Sequence, residues 1–174
     1  DMQSPFPEEF NRQVVDLICS YYFVPTETAR KHLLDEGKEE CKIYITGNTV
    51  IDALKITVDN SFTDDNIEWA NDSRLVLLTS HRRENIGRNM KQIFQAVSDI
   101  VHEYQDVKVI YPVHKNPKVR EIASRYFNDN DRVRLIEPLD VYQFHNYIQQ
   151  CYLIMTDSGG IQEEAPSLGK PVLV

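Results

Sequence analysis

Basic tracts are missing from this chain: 19 lysines and arginines are scattered against 27 acidic residues, for a net charge of −8. That balance argues against nucleic acid or an anionic membrane as partner. It does not prevent a few arginines and backbone amides from holding an anion locally. Cysteine is also scarce. Cys19, Cys41 and Cys151 are odd in number and widely spaced, so they fit neither a disulfide framework nor a zinc site, and a reducing compartment, the cytoplasm, is expected. No apolar run approaches a membrane span, and the first residues do not read as a signal peptide. Internal repeats and low-complexity tracts are absent as well. What remains, 174 residues with 41% hydrophobic and 26% charged side chains, suits a soluble globular domain of ordinary size.

Strands alternate with helices along the chain. Glu9 to Cys19 carries Phe10, Val14, Leu17 and Ile18 at helical spacing, and Tyr21 to Val24 is a short apolar strand before Pro25. Thr26 can cap a helix reaching Glu36, with Gly37 just past its end. Lys42 to Thr46 alternates like a strand, and Asn48 to Val58 is helical in pattern. Asp59 to Ser73 is polar and rich in Asp and Asn, and it reads as a connection or interdomain segment. Beyond it come strand Arg74–Ser80, helix Arg88–Tyr104, strand Val107–Val113 and a short helix after Pro117. Strand Val133–Ile136, helix Asp140–Gln150, strand Tyr152–Thr156 and a helix opening at Ile161 complete the series. Helix Arg88–Tyr104 is the clearest element, because Met90, Ile93, Phe94, Val97, Val101 and Tyr104 share one face. Such alternation, with nearly continuous apolar strands, predicts an α/β, Rossmann-like, doubly wound parallel sheet. Both ends read as cut: Asp1 to Pro7 is loop-like, and Gly169 to Val174 begins a buried strand and stops inside it.

Ligands of such sheets bind beyond the carboxyl ends of the strands. Strand Tyr152–Thr156 passes through Asp157, Ser158, Gly159 and Gly160 straight into a helix, which leaves backbone N–H groups unpaired at its positive end. Without Cβ atoms at the two glycines, a phosphate can come close to the backbone. Glu164, six residues after Ser158, can accept hydrogen bonds from sugar hydroxyls, so a diphosphate carrying a ribose is the first ligand to consider. The same run also reads as nothing more than a tight strand-to-helix turn. Strand Arg74–Ser80 ends in His81-Arg82-Arg83-Glu84-Asn85, where a histidine and two arginines can grip phosphate or uracil; a solvated loop with internal Arg–Glu pairs is the plainer alternative. His114 follows the next strand as a lone loop histidine, a residue type more often structural. Phe144 can stack on a base or simply fill the core. One rim thus collects a histidine, two arginines, a Gly-Gly amide nest and a glutamate.

The runs Thr79–Asn85, Tyr111–Pro117 and Thr156–Ser167 resemble non-hydrolysing bacterial UDP-N-acetylglucosamine 2-epimerases, as do Pro5–Arg12, Pro25–Ala29 and Ile45–Leu54. Only the polar stretch near Asp59–Ser73 is unmatched. The resemblance implies two Rossmann-like domains facing a cleft in the glycosyltransferase B-type arrangement. Residues 1–47 would finish the first domain and 48–174 would form most of the second, UDP-binding one. It further implies interconversion of UDP-GlcNAc and UDP-ManNAc without nicotinamide or metal, by elimination of UDP to a glycal and its return with C2 inverted. Removing the C2 proton needs a carboxylate base and a partner acid, and the departing diphosphate needs stabilising donors.

Carried over by that resemblance, Glu8 is a catalytic acid or base and His81 a UDP contact with a catalytic part. Leu139 and Phe144 lie beside uracil, Ser158, Gly159 and Gly160 hold the diphosphate, and Glu164 holds the ribose. Arg82, Arg83 and His114 fall where a second, activating UDP-GlcNAc is approached, and a homodimer is implied. Further catalytic carboxylates would precede Asp1 and another phosphate-binding arginine would follow Val174, so the chain alone should be inactive. The alternatives are a hydrolysing relative that releases UDP, and a UDP-sugar-binding or glycosyltransferase domain without epimerisation. Glu8 speaks against the latter, since a pure UDP-binding half needs no catalytic carboxylate.

Overall fold

The computed structural model describes residues 6–174, apart from the side chain of Arg83. The chain divides into two compact units, one ending at Thr49 and the other beginning at Val50. In the first unit, α1 (Glu8–Asp16), β1 (Tyr22–Val24), α2 (Glu27–Asp35) and β2 (Ile43–Ile45) follow one another, and β1 and β2 pair in parallel with Tyr22 opposite Ile43. Thr26 caps α2 by accepting from the Ala29 amide, and Gly37 just beyond adopts φ +83°, a left-handed conformation that favours glycine. The Arg12 guanidinium gathers Glu9, Asp16 and Glu36, and its hydrogen bonds hold the Glu9 carboxyl well below the ordinary glutamate range. The helix expected over Glu9–Cys19 stops at Asp16 and buries none of its residues. A two-stranded sheet offers it little to pack against, so Leu17 and Ile18 stay exposed.

In the second unit, α3 (Thr49–Thr57, its first residue being the last of the first unit) and α4 (Asp65–Ala70) precede a fully parallel sheet, β3 (Arg74–Thr79), β4 (Val107–Pro112), β5 (Val133–Ile136), β6 (Leu153–Thr156) and β7 (Val172–Leu173). Its order is β5-β4-β3-β6-β7 among the described residues, so the chain starts in the middle, winds outward, then returns to β3 and winds the other way. Helices α5 (Arg88–Glu103) and α6 (Pro117–Phe127) cover one face, joining Val76, Leu78, Val109 and Tyr111 in a common core. Helices α4, α7 (Val141–Gln150) and α8 (Ile161–Ser167) cover the other face with Leu75, Leu77, Ile110 and Ile154. Alternate residues of β3 therefore serve opposite cores, which is why it reads as a continuous apolar run rather than an alternating one. Gly87 opens α5 with φ +117°, a backbone conformation that strains a side-chain-bearing residue. This is the doubly wound, Rossmann-like class expected from the sequence.

Two local expectations need correction. Asp59–Ser73 is not merely a connection: Asp64 caps α4 by accepting from the Asn66 and Ile67 amides, and Ile67 and Ala70 enter the core. A helix this short buries only two side chains, too few to show a period in a polar stretch. Helix α6, expected to be short, runs for 11 residues behind its Asn116 cap and buries Val119, Ala123 and Phe127. The expected last strand is β7, which among the described residues pairs with β6, with Val172 half-buried and Leu173 exposed. The expected loop at residues 1–5 lies outside the described residues.

Candidate functional site

The sheet reverses its direction of winding between β3 and β6, and there the crevice of a doubly wound fold opens beyond the strand ends. Two buried threonines end these strands, with Thr79 Oγ1 and Thr156 Oγ1 2.7 Å apart. Thr156 Oγ1 also accepts from the Ser158 amide at 2.9 Å, so the first turn beyond β6 is tied to the strand pair beneath it. From β4, the buried Tyr111 hydroxyl donates to the Ser80 carbonyl at 2.7 Å. Burial, helped by the nearby Asp157 charge, pushes that hydroxyl far above its ordinary pKa and keeps it a donor.

Asp157 organises the rim. Its Oδ2 accepts from the backbone amides of His81 and Arg82, each at 3.0 Å, from Asn85 Nδ2 at 3.1 Å and from Ser80 Oγ at 3.2 Å. His81 Nδ1 faces Oδ1 at 3.3 Å. Burial raises this carboxyl, but the hydrogen bonds from Arg82, Asn85 and His81 outweigh it and hold the pKa below the ordinary aspartate range. The loop after β3 is thus gathered onto one carboxylate from the neighbouring strand end.

A cleft of about 400 Å³ lies at this rim, lined among others by Ser80, His81, His114, Leu139, Phe144, His145, Ser158, Ile161 and Glu164. Six residues singled out in the sequence, His81, His114, Leu139, Phe144, Ser158 and Glu164, come together here from four separate strand ends. The His81 and His114 rings lie nearly parallel, at 18° with centroids 6.2 Å apart. The Asn116 amide donates to His114 Nδ1 at 3.1 Å, so a neutral His114 ring carries its proton on Nε2 and is a donor there. Phe144 and Leu139 are half-buried and also pack on the core beneath α7. Capping box Asp140–Gln143 fixes the start of that helix.

Neither Gly159 nor Gly160 has positive φ, so the turn itself does not require glycine. Nor do their neighbours: a Cβ at Gly159 would lie 3.4 Å from Arg82 Nη2, and one at Gly160 would lie 3.5 Å from Glu164 Oε1, both ordinary contacts with the ends of side chains. Among the described residues the amides of Gly159, Gly160 and Ile161 have no hydrogen-bond partner, which leaves them to receive an anion. Arg82 does not line the cleft; its exposed guanidinium lies against Gly159 and reaches Glu84 at 3.5 Å. The side chain of Arg83 lies outside the described residues. Glu8 is the exposed first residue of α1, in the other unit.

Asp157, Thr79, Thr156 and His145 belong to the site architecture without having been singled out. A carboxylate between a strand end and a Gly-Gly turn was the available signal for Asp157. For His145 there was none, because its partners are distant in sequence. Its Nδ1 lies 2.7 Å from Thr57 Oγ1, and its Nε2 is 3.7 Å from Glu164 Oε2. No cluster of His, Cys, Asp and Glu among the described residues can hold a metal ion, and no helix among them is long and apolar enough to cross a membrane.

Fold and cleft together define a doubly wound α/β protein with an anion-receptive crevice at its switch point. A sequence model described as UDP-N-acetylglucosamine 2-epimerase matches residues 1–174, and the chain belongs to that family. The Bacillus subtilis UDP-N-acetylglucosamine 2-epimerase is 53% identical over 171 residues, which are 98% of this chain and 45% of that protein. Among solved structures, the Staphylococcus aureus MnaA–UDP co-structure superposes with a TM-score of 0.97 at 53% identity, covering all of this chain and 48% of that one. The Neisseria meningitidis UDP-GlcNAc 2-epimerase bound to UDP-GlcNAc gives 0.91 at 38% identity, over 100% and 49%. The chain therefore spans about half the length of the relatives it matches.

Proposed function

We propose that this chain supplies the UDP-binding part of a non-hydrolysing UDP-N-acetylglucosamine 2-epimerase of glycosyltransferase B-type architecture, which interconverts UDP-GlcNAc and UDP-ManNAc. The observation that carries the reading is the convergence of His81, Ser158 and Glu164 with Leu139 and Phe144 on one cleft at the switch point. Unpaired amides at Gly159 and Gly160 suit a diphosphate, Glu164 suits ribose hydroxyls, and Phe144 with Leu139 suits the uracil ring. His81 and the amide nest stabilise charge as UDP leaves from C1. Glu8 is the proton-transferring carboxylate at C2, a role supported by the Pro5–Arg12 run. The 1–47 and 48–174 division follows the same family pattern, with the first segment completing one Rossmann-like domain and the second forming most of the other. Family resemblance is also the support for a homodimer, a cytoplasmic location and a second, activating UDP-GlcNAc near Arg82, Arg83 and His114.

The test is made on the full-length protein in deuterium oxide. Wild-type enzyme should place solvent deuterium at C2 of both UDP-sugars, because the C2 proton is removed and returned. Glu8→Gln should bind UDP within about threefold of wild type yet lose most of the epimerisation, since an amide keeps the shape but exchanges no proton. Epimerisation without deuterium at C2 would refute the elimination route.

A further inference from the structure

His145 is almost fully buried in α7, at 4% exposure, yet it forms part of the cleft wall. Its two ring nitrogens have unlike surroundings. Nδ1 lies 2.7 Å from Thr57 Oγ1. That hydroxyl has a single hydrogen and donates it to the Ala53 carbonyl at 2.9 Å, so towards the imidazole it accepts, and Nδ1 is the N–H nitrogen. Thr57 is held in place from the other side: Asn146 Nδ2 donates to the Thr57 carbonyl at 2.9 Å, and Asn146 Oδ1 accepts from the Asp59 amide at 2.7 Å. A neutral ring fixed in this way presents a bare lone pair at Nε2.

Nε2 makes no hydrogen bond among the described residues. Glu164 Oε2 stands 3.7 Å away, beyond hydrogen-bond reach, and as a carboxylate oxygen it too is an acceptor. Two acceptors on one wall cannot satisfy each other. Two donors on neighbouring atoms satisfy both, and hydroxyls on adjacent carbons have that spacing. We propose that His145 reads the ligand: its Nε2 accepts a hydrogen bond from one hydroxyl of the ribose vicinal diol, while Glu164 accepts from the other. This rests on the nucleotide reading of the cleft given above. The rival arrangement is a protonated ring paired with Glu164, which has no need of a diol.

The experiment measures affinities of the full-length protein for UDP, 2′-deoxy-UDP and 3′-deoxy-UDP by calorimetry, in wild type and in His145→Asn. Asparagine sets an amide nitrogen near the former Nδ1, so the Thr57 contact survives, and it removes Nε2 together with Cε1. Wild type should prefer UDP over each deoxy analogue by about fivefold to tenfold, the worth of one net hydrogen bond. His145→Asn should lose one of these two preferences and keep the other. A residue that only shapes the wall would weaken all three ligands alike, and unchanged preference ratios overturn the proposal. Should the variant not fold, nitrogen-15 spectra of the wild-type His145 ring give the answer. A ring protonated at Nδ1, with an Nε2 signal that moves on adding UDP, supports it; a doubly protonated ring in the complex, or an unresponsive Nε2, overturns it. Absence of UDP binding by the wild type would instead remove the nucleotide reading of the cleft itself.

Discussion

Replacing Asp157 by alanine removes the anchor of the loop after β3 while leaving both strands intact. The carboxylate receives two backbone amides, one side-chain amide and one hydroxyl, at 3.0 to 3.2 Å, and only 8% of its side chain is exposed. Hydrogen bonds to a charged acceptor are individually worth about 1.5–3 kcal/mol. His81 and Arg82 are themselves exposed, so water replaces part of what is lost, and the net cost should be about 1–3 kcal/mol for opening the loop. That corresponds to roughly fivefold to hundredfold faster hydrogen exchange at the His81 and Arg82 amides. Exchange mass spectrometry on a peptide spanning residues 80–85 measures this directly, with β4 as an internal control that should not change. The sign of the pH dependence follows from the same contacts. A carboxyl whose folded pKa is depressed stabilises the fold above its unfolded pKa, and the contribution is lost as pH falls through the folded value. The wild-type loop should therefore lose its extra protection in acid below the ordinary aspartate range, and Asp157→Ala should show no such step. Equal exchange at His81 and Arg82 in both proteins at neutral pH would refute the anchoring role.

Two further outcomes test the binding surface and the core. Glu164→Ala in the full-length protein should weaken UDP binding by about 1–3 kcal/mol through the lost ribose hydrogen bond to its carboxylate, and an unchanged affinity in calorimetry would take Glu164 out of the site. Phe94→Ala should cost about 3–5 kcal/mol, because the ring is fully buried and packs on Phe127 at 5.0 Å and Tyr111 at 5.4 Å between centroids; a loss below about 1 kcal/mol in urea unfolding would contradict that packing.

Elements with a long, one-sided apolar period were readable from the chain alone. Met90, Phe94, Val97 and Val101 recur on one face of α5, and all four are buried. The strand ends were readable too, because a parallel sheet turns a linear order of strands into a spatial rim. Helix α4 was not, since its hold on the core is two side chains inside an acidic stretch. Nor was the partnership of His145 with Thr57, 88 residues away, because sequence spacing carries no information about which distant hydroxyl faces a ring. Asp157 lay within a recognisable run, yet what it does depends on β3 lying beside β6, a pairing that only the completed winding reveals.

The return of the chain to the middle of the sheet has a consequence for how the protein is made. During synthesis β3 can pair with β4 once β4 itself has followed α5, but its other edge waits for β6, with Thr79 and Thr156 separated by 77 residues. Over that interval the ribosome displays an unpaired strand edge with the sequence Leu75-Val76-Leu77-Leu78, the kind of surface that recruits other chains.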